Sequence, residues 1–432
     1  MSSNSFDLTQ TVFLFNWISN SSCHVTGSEQ QVADFVYDAL TNGNVGNAYQ
    51  DIEVLGLIET LGSQLIGEDW KVVWGPGVYE MDSRSGKADN TAFVVYSPSQ
   101  DTYVVAIAGT DPSAFLDWFG EDFQVGPNDC VNWPNTLNKL PTTSPVDFNQ
   151  SQISFGTAIG VYNLLNNLVQ SSSAPNANQT LQVYLSELAP TSTTTKLIFT
   201  GHSLGGALAP TLASWFTYNN TKGWTAGTQV SALPTAGPTP GNAIFASNWD
   251  STFSVQQEKN VNSGNNVNAL NALVYNTQDI VPHAWEYLYS STQAAEGAMQ
   301  YYSWDDKALK DVTILIKTQL GDLIPTAADA LYLVANACQT EGADADMTMT
   351  SNRISWTSSW PLTYYAALES GTSPTQHTLP LPPAPFSDFS TVKSYLGAIH
   401  VWGYLAAFGI DVTQPQVASV LTYQVVSDQS SS

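Results

Sequence analysis

Basic residues are scarce in this sequence, where 12 Lys and Arg stand against 37 Asp and Glu, for a formal net charge of −25 at pH 7. A field of this sign repels nucleic acid and anionic membrane surfaces. We therefore expect no nucleic-acid partner, and we expect substrates or partners that are neutral or cationic.

Cysteines are also few. Cys23, Cys130 and Cys338 are too scattered for a disulfide framework or for a paired-cysteine metal site. Two of the three could pair in an oxidising compartment, but the sequence does not select which two.

Long apolar runs are lacking as well. No stretch of 18 or more apolar residues predicts a transmembrane segment, and TVFLFNWI at 11–18 is too short for a signal peptide and lacks its basic flank. The chain is nevertheless poor in Lys and carries four N-x-Ser/Thr sequons, which start at Asn20, Asn149, Asn178 and Asn219. These features favour a secreted, extracellular protein whose leader is not part of the sequence.

Hydrophobic residues are plentiful enough for a large core, since they make up 43% of the 432 residues. Runs rich in β-branched and aromatic residues predict strands at 70–76, 90–97, 101–110, 194–201, 229–241 and 268–282, the last two continuing into loops. Helical spacing predicts helices at 153–169 and 207–218 and two more within 30–66. Strands that alternate with helices predict an α/β fold, with a mainly parallel central sheet and helices on both faces.

We interpret residues 1–425 as a single α/β domain. Residues 1–68 form a helical extension at its N-terminus, and residues 286–390 look like an insertion into the core, with a proline-rich stretch near its end. Residues 426–432 are a tail.

One pentapeptide has the pattern of a catalytic turn. Gly201-His202-Ser203-Leu204-Gly205 fits G-x-S-x-G, with a predicted strand before it and a helix of small residues after it. A serine on so tight a strand-to-helix turn is strained, and side chains two positions before and after it would collide across the turn, so glycines are needed there. The alternative is a glycine-rich turn with an incidental serine.

A serine hydroxyl becomes a good nucleophile only with a base and an orienting carboxylate, which in α/β hydrolases follow it in the chain as Asp or Glu and then His. The histidines after Ser203 are His283, His377 and His400, and order alone leaves all three open. His24 precedes the motif, and His202 is expected to point away from Ser203, so neither is a good candidate.

Several motifs, taken in order, resemble the class 3 lipase family of filamentous-fungal triacylglycerol lipases. The similar segments are VVAIAGT (104–110), GHSLGGALA (201–209), TAGPTPGNAIFA (235–246), YNTQDIVP (275–282) and AIHVWGYL (398–405). They look like the family's oxyanion strand, nucleophile elbow, following strand and loop, acid loop and terminal histidine segment. The resemblance runs from about residue 90 to 410, and 286–390 has no counterpart.

The resemblance implies an α/β-hydrolase fold in which Ser203 is the nucleophile, Asp279 the orienting acid and His400 the general base. His283, four residues beyond Asp279, stays a rival for the base. The resemblance also implies an oxyanion hole formed by the backbone N–H of Leu204 and by Thr110, whose hydroxyl can add a second donor.

A lid is implied at 111–123, where apolar side chains fall on one helical arc: Phe115, Leu116, Trp118, Phe119 and Phe123. In the family a short amphipathic helix at this place covers the serine in water and moves away at a lipid surface. Ordinary core packing is the alternative. Asp122 lies on the apolar side of the arc, and we expect it to bond and orient the Thr110 hydroxyl.

Together these residues predict a carboxylic ester hydrolase that needs no metal and no organic cofactor. A lipase that acts on neutral acylglycerol esters at a lipid–water interface is the first interpretation. An esterase or phospholipase of the same fold and a non-catalytic lipase-like binding protein stay open.

Overall fold

The structure is a computed structural model of the chain. It describes residues 5–41, 56–81, 86–109, 130–145, 147, 149–258, 267–276, 279, 281–283, 353–356, 362–366, 375–379 and 397–421.

The α-helices are α1 (Leu8–Ser19), α2 (Glu29–Thr41), α3 (Leu57–Leu61), α4 (Phe155–Asn166), α5 (Leu181–Glu187), α6 (Leu204–Asn219), α7 (Ala243–Thr252), α8 (Gly403–Ala407) and α9 (Pro415–Leu421). The 3₁₀ turns are Asn20–His24 and Val281–His283, and a π-helical turn spans Ala398–Trp402.

The first strands are β1 (Lys71–Tyr79), β2 (Asn90–Ser97), β3 (Thr102–Ile107), β4 (Cys130–Asn132), β5 (Gln152–Ser154), β6 (Val169–Gln170) and β7 (Lys196–His202). The later ones are β8 (Val230–Thr235), β9 (Gln256–Gln257), β10 (Ala269–Leu270), β11 (Leu273–Asn276), β12 (Arg353–Trp356), β13 (Leu362–Ala366) and β14 (Thr375–Leu379).

Within the described part of the chain, the central sheet has eight strands in the order β12-β11-β8-β7-β3-β2-β1-β6. The strands from β3 to β12 in this order run parallel to one another, whereas β1 and β2 form an antiparallel meander with β3, and β6 pairs antiparallel with β1. The predicted α/β class is confirmed. The parallel half matters for the site because the carboxyl ends of its strands meet at one edge, where α/β proteins place their ligands.

Each face of the sheet packs against its own hydrophobic cluster. Along β2, Phe93 and Val95 belong to one cluster, whereas Ala92 and Val94 belong to the other. Side chains alternate in this way because successive residues of a strand point to opposite faces. The first cluster includes residues of α1, α2, α8 and α9, and the second includes residues of α4, α5, α6 and α7. Helices therefore cover both faces, as predicted.

Helix α1 is buried along its whole length, all 12 residues included. Asp7 caps it by accepting from the Gln10 backbone N–H at 2.9 Å, and the Gln10 side chain accepts in return from the Asp7 N–H at 3.0 Å. The Gln10 amide then donates to the carbonyl of Phe408 at 2.7 Å. The run TVFLFNWI thus lies in a core helix. This helix is buried on all sides because the sheet, α2 and the C-terminal segment surround it.

The predicted strands at 70–76, 90–97, 101–110 and 194–201 are confirmed as β1, β2, β3 and β7, and the strands expected in 229–241 and 268–282 as β8 and β11. Within the range interpreted as an insertion, β12 pairs in parallel with β11, so this part extends the central sheet. The predicted lid at 111–123 lies outside the described residues.

Among the helices that the structure describes, none is both long enough and apolar enough to cross a membrane.

Asp38, on α2, lies one turn beyond Asp34 and has a buried Oδ1 atom. Burial, and then repulsion by Asp34, raise the pKa of the Asp38 carboxyl from an ordinary 3.8 to about 7. The folded protein therefore keeps this proton over a pH range in which the unfolded chain has lost it. The stability that the proton contributes is fully present below about pH 4 and is lost as the pH rises through about 7.

We predict that Asp38→Asn raises the melting temperature above that of the wild type at about pH 8 and has little effect at about pH 4, because the amide carries no charge to bury. Thermal unfolding curves across this range measure the difference. Glu187→Gln, on an exposed site of α5, is the control and should leave the pH dependence as it is. A stabilisation by Asp38→Asn that is equal at both pH values contradicts the assignment.

Candidate active site

Ser203 lies between the end of β7 and the start of α6, on the carboxyl edge of the parallel strands. Its backbone has φ 58° and ψ −125°, a conformation that a residue with a side chain adopts only under strain. The Ser203 N–H donates to the carbonyl of Thr235, at the end of β8, at 3.0 Å, and Gly206 N–H donates to the Ser203 carbonyl at 2.8 Å. The predicted strained strand-to-helix turn is confirmed.

The two glycines of the motif are needed for close backbone packing. A Cβ on Gly201 would lie 2.1 Å from the Gly205 carbonyl oxygen, so the predicted collision across the turn is confirmed at this position. A Cβ on Gly205 would instead lie 2.4 Å from the carbonyl oxygen of Ile107, at the end of β3. Gly205 therefore allows α6 to begin against the neighbouring strand.

Asp279 follows β11 by three residues and is fully buried. Its Oδ2 atom lies 2.8 Å from Nδ1 of His400, in the π-helical turn, and 121 residues separate the two in the chain. A carboxylate can only accept, so this geometry requires the proton on Nδ1 of His400 and leaves Nε2 as the basic nitrogen.

Two further donors hold the Asp279 carboxylate. The Tyr404 hydroxyl, on α8, donates to Oδ2 at 2.8 Å, and the Val281 backbone N–H donates to Oδ1 at 3.1 Å. The Asn276 N–H in turn donates to the Tyr404 oxygen at 3.2 Å. Burial first, and then the charge of Asp279, raise the pKa of Tyr404 well above its ordinary value, so the hydroxyl keeps its proton and stays a donor.

His202 packs directly on this group. Its ring centroid is 4.8 Å from that of His400 and 4.9 Å from that of Tyr404, and its Nδ1 lies 3.0 Å from the Thr235 hydroxyl. Burial lowers the pKa of His202 well below its ordinary value, the charge of His400 lowers it further, and the His400 backbone acts in the opposite direction. His202 is therefore neutral, and it places no positive charge beside His400.

The structure thus brings Asp279 and His400 together at the sheet edge that carries Ser203, and it places Leu204, predicted as an oxyanion donor, at the first position of α6. His377 lies on β14, in the hairpin with β13. His283 ends the 3₁₀ turn after Asp279, and its side chain lies outside the described part, as does that of His24. Thr110, Asp122 and the predicted lid side chains, Phe115, Leu116, Trp118, Phe119 and Phe123, fall outside the described residues.

Tyr404 and Thr235 were not predicted as site residues from the sequence. Tyr404 lies four residues after His400, a spacing that places two helical side chains on the same side, and this is the one signal that pointed to it. Thr235 had no such signal, because its contact with His202 joins two different strands. In the parts of the chain that are described, no three His, Cys, Asp or Glu side chains are grouped to hold a metal ion.

Comparison with known proteins points to one family of lipases. The family model described as lipase (class 3) matches residues 104–287, a segment that contains Ser203 and Asp279 and ends before His400. The resemblance to class 3 lipases is confirmed. This match also supports the predicted enzyme class, a serine carboxylic ester hydrolase.

Among solved structures, M37 lipase aligns over 96% of this chain and 98% of its own, with 22% identity and a TM-score of 0.57, which supports the α/β-hydrolase fold. The Rhizomucor miehei triacylglyceride lipase aligns over 50% of this chain and 61% of its own, with 18% identity and a TM-score of 0.33. A lipase from Rhizopus microsporus var. chinensis aligns over 65% of this chain and 70% of its own, with 19% identity and a TM-score of 0.35. No curated protein sequence matches the chain.

We predict that Tyr404→Phe lowers kcat for a soluble ester about 10-fold, equal to about 1.4 kcal/mol, with little change in KM, because a charge-assisted hydrogen bond to Asp279 is lost. Steady-state kinetics measure both constants. Tyr96→Phe is a matched control, since the Tyr96 hydroxyl also bonds an aspartate, Asp101, at 3.3 Å, but at the opposite end of the sheet. An unchanged kcat in Tyr404→Phe rules out a contribution of this hydroxyl to turnover.

Proposed function

We propose that the protein is a lipase that hydrolyses neutral acylglycerol esters by acyl transfer through Ser203, with His400 as general base and Asp279 as its orienting acid. The observation that carries the proposal is the buried hydrogen bond of 2.8 Å between Asp279 and His400, at the sheet edge where Ser203 occupies a strained turn. A strained serine and a buried carboxylate–imidazole pair are the parts that acyl transfer by serine requires.

In the first half of the reaction, Nε2 of His400 takes the proton of the Ser203 hydroxyl, and the serine oxygen attacks the ester carbonyl carbon. The carbonyl oxygen becomes an oxyanion, for which we propose the backbone N–H of Leu204 and Thr110 as donors. The tetrahedral intermediate then collapses: the bond to the alcohol oxygen breaks, His400 returns the proton to the leaving alcohol, and an acyl-enzyme remains on Ser203.

In the second half, water takes the place of the alcohol. His400 removes a proton from the water, whose oxygen attacks the acyl carbon, and the carboxylic acid leaves as the proton returns to Ser203. In both halves His400 is transiently positive. The Asp279 carboxylate stabilises that charge, and a neutral His202 at 4.8 Å avoids a repulsive neighbour.

The preference for a neutral lipid ester is supported by charge. The net charge of −25 disfavours anionic substrates at long range, and acylglycerols carry no charge. The proposed aromatic lid, with Phe115, Leu116, Trp118, Phe119 and Phe123, would contribute an apolar surface for acyl chains at a lipid–water interface. An extracellular location suits such a substrate, and we propose it on that ground.

The roles of the site residues are tested with a fluorophosphonate that labels activated serines. We predict that Ser203→Ala abolishes labelling and lowers kcat roughly 10⁶-fold, because no other hydroxyl occupies the strained turn. Asp279→Asn should lower kcat about 10⁴-fold by favouring the wrong histidine tautomer. Intact-mass spectrometry of the labelled protein and initial-rate kinetics give the two readouts.

The same fluorophosphonate label shows which histidine is the general base. His400→Ala should abolish labelling, whereas His283→Ala and the control His377→Ala should keep it. Labelling that is lost in His283→Ala and kept in His400→Ala would reassign the base. A wild-type protein that takes up no label would instead support the non-catalytic, lipase-like binding protein.

The acyl preference separates a lipase from an esterase. We predict that turnover of triacylglycerols with long acyl chains rises steeply once the substrate exceeds its solubility and forms an interface, because the acyl chains then meet an apolar binding surface. Titration of released acid against substrate concentration, and p-nitrophenyl esters of graded chain length, measure this. A maximum with short, dissolved esters and no rise at the solubility limit would identify an esterase, and faster cleavage of phospholipid would identify a phospholipase.

A further inference from the structure

We infer that Asn20 is a positioning residue for ester cleavage: its side chain holds the Gly109 peptide, just beyond the end of β3, against the turn that carries Ser203. The inference rests on the proposed function, since it concerns the backbone next to the proposed nucleophile. It involves the N-terminal region, which lies outside the segment that the lipase family model matches.

Two side chains of the N-terminal segment form hydrogen bonds with the Gly109 backbone, one with its N–H and one with its carbonyl oxygen. Its N–H donates to Oδ1 of Asn20 at 2.7 Å, and its carbonyl oxygen accepts from the Cys23 sulfur at 3.3 Å. Gly109 lies two residues past Ile107, the last residue of β3. A side chain therefore accepts the hydrogen bond of its backbone N–H, which within the sheet would go to a neighbouring strand. Asn20 and Cys23 both belong to the 3₁₀ turn that follows α1.

The Gly109 backbone packs directly against the nucleophile turn. A Cβ built on Gly109 would lie 2.6 Å from the carbonyl oxygen of His202 and 3.0 Å from Cβ of Ser203. It would also lie 3.2 Å from Oδ1 of Asn20. The glycine is therefore confined between Asn20 on one side and the serine turn on the other, and a movement of Asn20 changes the backbone beside Ser203.

The Asn20 amide is itself held in one orientation. Its Nδ2 atom donates to the carbonyl of Asn16 at 2.9 Å, which leaves Oδ1 to face Gly109. Asn16 is fully buried, and its own amide donates at 3.3 Å to the Thr235 hydroxyl, the same hydroxyl that contacts His202. The end of α1 is thus joined by hydrogen bonds to two sides of the serine turn.

The two peptide units that meet at Gly109 connect the Asn20 bond to the proposed oxyanion donor. The Gly109 N–H belongs to the peptide unit with Ala108, its carbonyl belongs to the next peptide unit, and each unit is planar. The resemblance to class 3 lipases implies that the residue after Gly109, Thr110, is an oxyanion donor. The Asn20 bond therefore fixes the peptide unit that ends at Gly109, and the Cys23 bond fixes the unit that begins there and leads to the proposed donor.

The test is Asn20→Ala, assayed with a short, soluble p-nitrophenyl ester and with its thionoester, in which sulfur replaces the carbonyl oxygen. Asn20→Ala should lower kcat for the oxygen ester by about 10- to 100-fold with KM within about 2-fold, since misplacing a group in the site costs this much. The thionoester should lose less, because sulfur accepts hydrogen bonds poorly and gains little from the oxyanion donors. A purely structural defect would slow both esters equally.

The matched control is Ser22→Ala, in the same 3₁₀ turn, which removes a bond of 3.0 Å from the Ser22 hydroxyl to the Ser19 carbonyl and none to Gly109. A second variant, Asn20→Asp, keeps an oxygen that accepts from the Gly109 N–H but loses the Nδ2 bond to the Asn16 carbonyl, so its kcat should lie between that of Asn20→Ala and that of the wild type. Melting temperatures of all variants identify any that fail to fold, and Asn20→Asp provides the comparison if Asn20→Ala is one of them.

The inference is overturned if folded Asn20→Ala keeps a kcat within about 2-fold of the wild type, if its loss appears in KM alone, or if Ser22→Ala loses as much. It is also overturned if oxygen ester and thionoester fall in parallel. A wild-type protein that neither cleaves the ester nor takes up fluorophosphonate removes the proposed function and this inference with it. An active wild type beside a fully active Asn20→Ala removes this inference only.

Discussion

The site depends on one buried carboxylate. Asp279 is inaccessible to solvent, and a buried charge is tolerated only where donors replace water. Val281, two residues further along the chain, supplies one donor, while His400 and Tyr404 supply two from a segment more than a hundred residues further on. The need to satisfy this carboxylate therefore ties the C-terminal segment to the sheet edge, and in doing so orients the imidazole.

The two ends of the described chain meet behind that edge. Phe13 of α1 stacks on Phe408 with ring centroids 3.9 Å apart, and Trp17 packs on Trp402 at 5.6 Å. Such aromatic contacts bury large apolar areas and fix relative orientation. Helix α1 leads into the 3₁₀ turn that carries Asn20, and the segment near Trp402 carries His400, so the same packing positions side chains on two sides of Ser203.

Local patterns predicted the elements around the serine well. β2 was predicted with its observed ends because a β-branched and aromatic run between turn residues has few other stable conformations, and Gly201 marked the strained turn for steric reasons that hold in any context. The run that became α1 was harder to interpret. It is apolar on all sides, so it lacks the periodicity of a surface helix, and burial on every side only became evident in the packed structure.

By itself, then, the sequence determined the strand–turn–helix around Ser203, the α/β class and, through ordered motifs, the candidates Asp279 and His400. Only the tertiary structure decided that His400 meets Asp279, that Tyr404 shares the same carboxylate oxygen, and that Asn20 holds Gly109. The reason is physical. Turns and strands follow from steric and hydrogen-bond preferences within a few residues, whereas these contacts join segments 89 to 125 residues apart and exist only once the core has packed.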